Sequence, residues 1–103
     1  PWLDAAKSHA PVVAQMQAAM PQEWQQAVAD GRSCVSVNAD AVTARMVWAQ
    51  YSAIPLNVDN SGCEYRLVQQ PRGSAAPAGW QILWQGARPR NKTEGFALLK
   101  KAV

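Results

Sequence analysis

The spacing of apolar and polar residues changes period several times along the chain, and each change marks an element. Val12, Val13, Met16, Ala19 and Met20 recur at i, i+3, i+4 and i+7, the signature of one buried helical face. Pro11 suits the first turn of that helix, where its missing N–H would have had no partner. A shorter helix over Ala5–His9, capped by Asp4, is expected before it. Pro21 opens a third helical stretch reaching Asp30, with Glu23 in its first turn and Gly31 as its stop. Trp24 and Val28, four residues apart, share its inner side.

The period then falls to two. Ser33–Val37 alternates and is rich in β-branched side chains, so it predicts a short strand. Asn38 suits the N-cap of a following helix over Ala39–Ser52, and Asp40 complements that helix's dipole. Val42, Met46, Ala49 and Ala53 fall on one face, widened by Val47, Tyr51 and Ile54, which predicts the most buried helix of the chain. Pro55 ends it. A polar loop, Asn57–Gly62, leads to two more alternating stretches. In Cys63–Val68 the residues Cys63, Tyr65 and Leu67 share a side, and in Trp80–Trp84 the residues Trp80, Ile82 and Trp84 do. Pro71–Gly79 between them reads as a mobile turn, too long for a two-residue hairpin. Glu94–Ala102 fits either of two forms. One is a helix capped by Thr93 and weakened by Gly95; the other is a third strand with Phe96 and Leu98 on one face.

Together these elements predict an α+β fold. N-terminal helices and one central helix pack on a small, mainly antiparallel sheet that contains a long-turn β-hairpin. One compact domain over 1–103 is expected, with a helical part (1–30), a strand–helix part (33–54) and a hairpin with a basic C-terminal segment (62–103). The initial Pro1 is read as trimming or excision from a larger protein. Hydrophobic residues make up 49% of the sequence, which separates it from disordered chains. No apolar run approaches the ~20 residues that span a bilayer, so no transmembrane segment is expected.

Charge sharpens the picture. The formal net charge is +3, but residues 1–65 carry −3 and residues 66–103 carry +6. Arg88, Arg90 and Lys92 alternate within five residues, so an extended backbone would project them together. Arg66 and Arg72 join them from the neighbouring strand and turn. Arginine forks suit phosphate oxygens, which makes these five residues the candidate anion or nucleic-acid contacts. The helix over Ala39–Ser52 carries one basic residue, Arg45, so non-specific phosphate contact is expected rather than base reading. Replacing Arg88, Arg90 and Lys92 together is expected to leave the fold nearly unchanged, since exposed charges contribute little to stability.

Other chemistry finds little support. His9 is the only histidine and belongs to no nucleophile motif, so it reads as a surface residue. Two cysteines 29 positions apart and one histidine do not make the close-spaced ligand pairs of a zinc site. No catalytic residues, metal or cofactor are expected. Asn91-Lys92-Thr93 is a glycosylation sequon of a kind that arises often by chance. Trp24, Trp48, Trp80 and Trp84 are read as core, with one or two on the sheet surface as the alternative. Cys34 and Cys63 sit at the starts of predicted strands, where one disulfide forms easily if those strands are neighbours; two buried thiols are the other reading.

Two functions follow. The first is a non-catalytic interaction domain whose basic C-terminal face contacts nucleic-acid phosphates; reduced cysteines would place it in the cytoplasm. The alternative is a small disulfide-bonded envelope or secreted accessory protein that binds another protein, periplasmic or secreted.

Overall fold

A computed structural model describes residues 2–38, 42–58 and 62–102. The elements run α1 (Trp2–Ala19), α2 (Gln22–Ala29), β1 (Val35–Asn38), α3 (Val42–Tyr51), β2 (Tyr65–Pro71), β3 (Trp80–Gly86) and β4 (Glu94–Lys101). The α+β architecture read from the pattern is present: helices lie against one face of a four-stranded sheet in the order β1-β2-β4-β3. β1 and β2 are parallel, joined through α3, and the other two pairings are antiparallel.

α1 is one helix, not two, and Pro11 lies inside it. A proline there removes one i→i−4 hydrogen bond and crowds the carbonyl four residues back. Pro11 and Lys7 are both exposed, so water can satisfy that carbonyl, while Val12, Val13 and Met16 next to them are fully buried. Core burial thus holds the helix through a residue that local preference would use as a start. The last turn of α1 is tied to α2 by Gln25, whose Nε2 donates to the carbonyls of Gln17 (2.9 Å) and Met20 (3.0 Å). α2 ends as its sequence indicates. Gly31 takes φ 78°, its N–H donates to Val28, and the Arg32 N–H donates to Ala27, the paired bonds of a Schellman stop.

α3 differs from expectation in the face it buries. Met46 is 54% exposed, Tyr51 is 46% exposed and Ala53 is exposed, whereas Trp48 is fully buried. A single indole outweighs several smaller side chains in area removed from water, and it sets the rotation of the helix. Among the described side chains, α1 and not α3 is the more buried helix. Asn38, the expected cap, is the last residue of β1; its companion Asp40 lies outside the described residues, as do the side chains of Val42 and Val47 from the expected face. The main core joins α1 (Val12, Val13, Met16) and Trp48 to Val35, Val37, Tyr65, Leu67, Phe96 and Leu98 of the sheet. As read from alternation, Cys63, Tyr65 and Leu67 all point inward and are buried.

The C-terminal stretch is a strand, β4, and it lies between β2 and β3. The strands over 65–71 and 80–86 are therefore not hydrogen-bonded to each other; the antiparallel hairpin is β3–β4. Both β2 and β3 run against β4, so residues 72–79 must return from the Pro71↔Glu94 end of the ladder to the Trp80↔Lys101 end. That path is roughly 25 Å, from seven ladder rows and two strand spacings. Eight residues reach at most about 30 Å, so the connection has little slack. It is a strap across the helix-free face. Arg72 lies directly over Gly95, where an added Cβ would come within 3.2 Å of the Arg72 Cα, and Gln85 Nε2 reaches the Ser74 carbonyl (3.3 Å). Below and beside the strap, Val68, Ala97 and Leu99 form a second apolar cluster with Trp80 and Ile82.

Trp84 departs from its expected face. The β3–β4 register shifts between Ile82 and Trp84, so one extra residue enters β3 as a bulge. Trp80 and Ile82 stay on the strap face, while Leu83 and Trp84 pack against the main core. The Trp84 ring folds back over Gly86, in space that a Cβ at that position would occupy.

Candidate functional site

The disulfide reading of the cysteines holds: Cys34 and Cys63 are bonded, with Cα atoms 5.0 Å apart. Each lies just before one of two adjacent parallel strands, and Val35↔Tyr65 opens their ladder. The bond closes the β1–α3–β2 unit at its base. Ser33 Oγ donates to Glu64 Oε2 (3.1 Å) alongside it.

The five basic residues do not form one group. β2 ends at Pro71, β3 ends at Gly86 and β4 begins at Glu94, so Arg72, Arg88, Arg90 and Lys92 gather at one end of the sheet. Arg66 pairs with Leu99, five ladder rows away, a separation of about 17 Å. Its guanidinium lies 4.5 Å from the centre of the Trp80 ring, an arrangement typical of cation–π contact.

Nor do Arg88, Arg90 and Lys92 project together. Arg88 turns inward, with Nη2 2.6 Å and Nε 2.7 Å from Glu94 Oε2, and Nη1 3.5 Å from Ser8 Oγ on α1. Arg90 adopts φ 68°, and it and Lys92 remain exposed. The cause is Asn91. Its Oδ1 accepts from the N–H groups of Thr93 (3.1 Å) and Glu94 (2.8 Å), and its Nδ2 donates to Glu94 Oε2 (3.3 Å). An Asx turn of this kind coils the backbone, so sequence alternation no longer fixes direction. The amide of the Asn91-Lys92-Thr93 sequon is thereby engaged in holding the turn.

Beneath this turn lies His9, which is 4% exposed and not a surface residue. Trp48 Nε1 donates to its Nδ1 (2.7 Å), and the His9 ring meets Trp48 and Phe96 edge-on. Burial lowers the imidazole pKa below its usual 6.5, and nearby Arg88 lowers it further against an opposing effect of Glu94. The ring is therefore a neutral acceptor in the core.

β3 is an edge strand, and none of its seven residues, Trp80-Gln81-Ile82-Leu83-Trp84-Gln85-Gly86, is charged or proline. Edge strands usually carry such residues to discourage pairing. The other edge is different: Asn57 borders β1, donating to Val35 and accepting from Val37, each at 2.8 Å. The absence of charge from residue 80 to 86 was visible in the sequence, but nothing local said that this strand would lie at an edge.

Among the described residues, no three His, Cys, Asp or Glu side chains come together in a way that could hold a metal ion. Among them too, no helix is long and apolar enough to cross a membrane. In comparisons with known proteins, the chain matches no family model, no curated protein and no solved structure.

Proposed function

We propose that this chain is a disulfide-stabilised, non-catalytic accessory domain that acts in an oxidising compartment, the periplasm or the exterior, by binding another protein along the open edge of its sheet. The carrying observation is β3: a seven-residue edge strand without charge or proline, beside an opposite edge that Asn57 already borders. Main-chain groups on such an edge supply binding, and neighbouring side chains supply selectivity. The Cys34–Cys63 bond agrees with that compartment, because disulfides persist where thiols are not kept reduced.

The test is site-specific photo-cross-linking in the native compartment. A cross-linker replacing the exposed Gln81 on β3 should give a discrete protein adduct, and one replacing the exposed Lys7 on α1 should not. The same purified protein should show a bridged mass that changes with reductant and alkylation. A second reading rests on Arg90 and Lys92, both exposed in the β3–β4 turn: non-specific contact with nucleic-acid phosphates. Salt-sensitive oligonucleotide binding, lost in an Arg90→Ser/Lys92→Ser variant, together with no adduct from Gln81, would replace the first reading with the second.

A further inference from the structure

We infer that the partner is presented to β3 as an extended segment of about seven residues, neutral in its middle and acidic at both ends, which adds a fifth strand to the sheet. This inference rests on the proposal that β3 is the binding edge, and it specifies the chemistry of what binds there.

The ladder shows which groups are open. The Ala102 N–H donates to Gly79 and the Lys101 N–H to Glu64, so alternate residues of this strand face β3 and β2. Leu99 has the same parity as Lys101, and it pairs with Ile82. The N–H and C=O of Ile82 therefore point away from β4, into the open edge. Beyond the bulge, Gln85 pairs with Ala97 and is open in the same sense. Two residues with outward amides and carbonyls, spaced across the bulge, define where an added strand would pair.

Charge defines what would pair. The strand itself is neutral, but its start lies beside Arg66 and Lys101, and its end leads to Arg90 and Lys92. Glu94 is the only acid beyond residue 64, and Arg88 already occupies it. The two basic groups are separated by the length of β3, about 20 Å. An extended segment with acids at both ends meets both. A second copy of this chain does not fit: antiparallel pairing of two β3 strands sets the Arg90/Lys92 end of one against the Arg66/Lys101 end of the other. Like charges placed so are unfavourable.

The experiment uses three synthetic peptides and the full chain. One has a Thr/Val-alternating centre with two Glu at each end, one replaces the Glu by Lys, and one carries proline at the centre of the Glu-flanked sequence. Amide exchange and chemical shifts are followed by NMR. The Glu-flanked peptide should slow exchange of the Ile82 N–H at least tenfold, bind less tightly as salt rises, and lose roughly tenfold in affinity in Arg90→Glu/Lys92→Glu. The other two peptides should do none of these. In an Ile82→Pro variant the outward donor is gone while the β4 ladder keeps its bonds, so binding should fall. If that variant does not fold, the Ile82 exchange rate in the unaltered protein still decides. Equal binding of the Lys-flanked peptide, or protection of Ile82 by raising protein concentration alone, overturns the inference. If none of the peptides binds yet the Gln81 cross-link still captures a protein, this inference fails and the edge reading survives. If the adduct is absent as well, both fail.

Discussion

Removing the Cys34–Cys63 bond gives the most quantitative check on how the fold is held. The two cysteines are 29 residues apart, and the loop they close contains α3 and links two adjacent parallel strands. On the chain-entropy estimate, closing a loop of that length disfavours the unfolded state by about 3.6 kcal/mol. Domains of this size have roughly 5–15 kcal/mol in all, so a quarter or more of the stability is at stake. With a urea m-value of about 1.5 kcal/mol/M, the midpoint should fall by about 2.4 M, and the melting temperature by about 15–30 °C. The assay is urea unfolding of three samples: the bridged protein, the same protein reduced, and Cys34→Ser/Cys63→Ser. The reduced sample matters because Cys63 is buried, and a serine there adds a hydroxyl that must find a partner. Amide exchange should rise first in β1 and α3, which the bond holds to the rest. A midpoint shift below ~0.5 M, in protein whose mass shows the bond intact before reduction, would refute the reasoning and assign the stability to the core alone.

Further outcomes follow from packing and charge. Gly86→Ala should cost about 1–3 kcal/mol, because the new Cβ displaces the Trp84 ring, while Gly62→Ala, which meets nothing nearby, should be close to neutral in the same urea assay. Arg88→Ser should destabilise by about 1–3 kcal/mol, because Glu94 is left half-buried without its strongest partner. Arg90→Ser/Lys92→Ser should stay within about 0.5 kcal/mol, so the sequence-based view of all three as equivalent surface charges does not survive. For His9, the folded pKa lies below the unfolded value of 6.5. Between the two, the unfolded chain holds a proton that the folded chain does not, so stability falls as pH drops from 6.5 toward the folded pKa and does not fall further below it. Stability measured from pH 7 to 5 should show that slope, and His9→Asn, which keeps an acceptor for Trp48 Nε1 without titrating, should flatten it; an unchanged slope sinks the idea.

What the sequence revealed depended on how local each cause was. The Gly31 stop, β1 and the inward side of Cys63, Tyr65 and Leu67 needed only neighbouring residues, and they were legible. Pro11 looks locally like a helix start, because the apolar residues that carry α1 through it are buried by distant strands. The bulge at Leu83 erased the expected common face of Trp80, Ile82 and Trp84, since one extra residue inverts everything after it. His9 was hidden because its partners, Trp48 and Phe96, are 39 and 87 positions away. The basic residues were found, but their grouping was set by strand order and by the side-chain bonds of Asn91, neither of which alternation encodes.

The position of β4 carries a consequence for how the domain comes together in time. It is the last of the described elements, yet it supplies every hydrogen-bonded neighbour of β3 and half of those of β2. Until residues 94–101 leave the ribosome, β2 and β3 have no strand to join them, and the strap over 72–79 spans an empty slot. Contacts of long sequence separation then form together, which slows closure and makes it cooperative. A nascent chain of this topology keeps its sheet open until residues 94–101 have been made, however early the helices and the Cys34–Cys63 pair are in place.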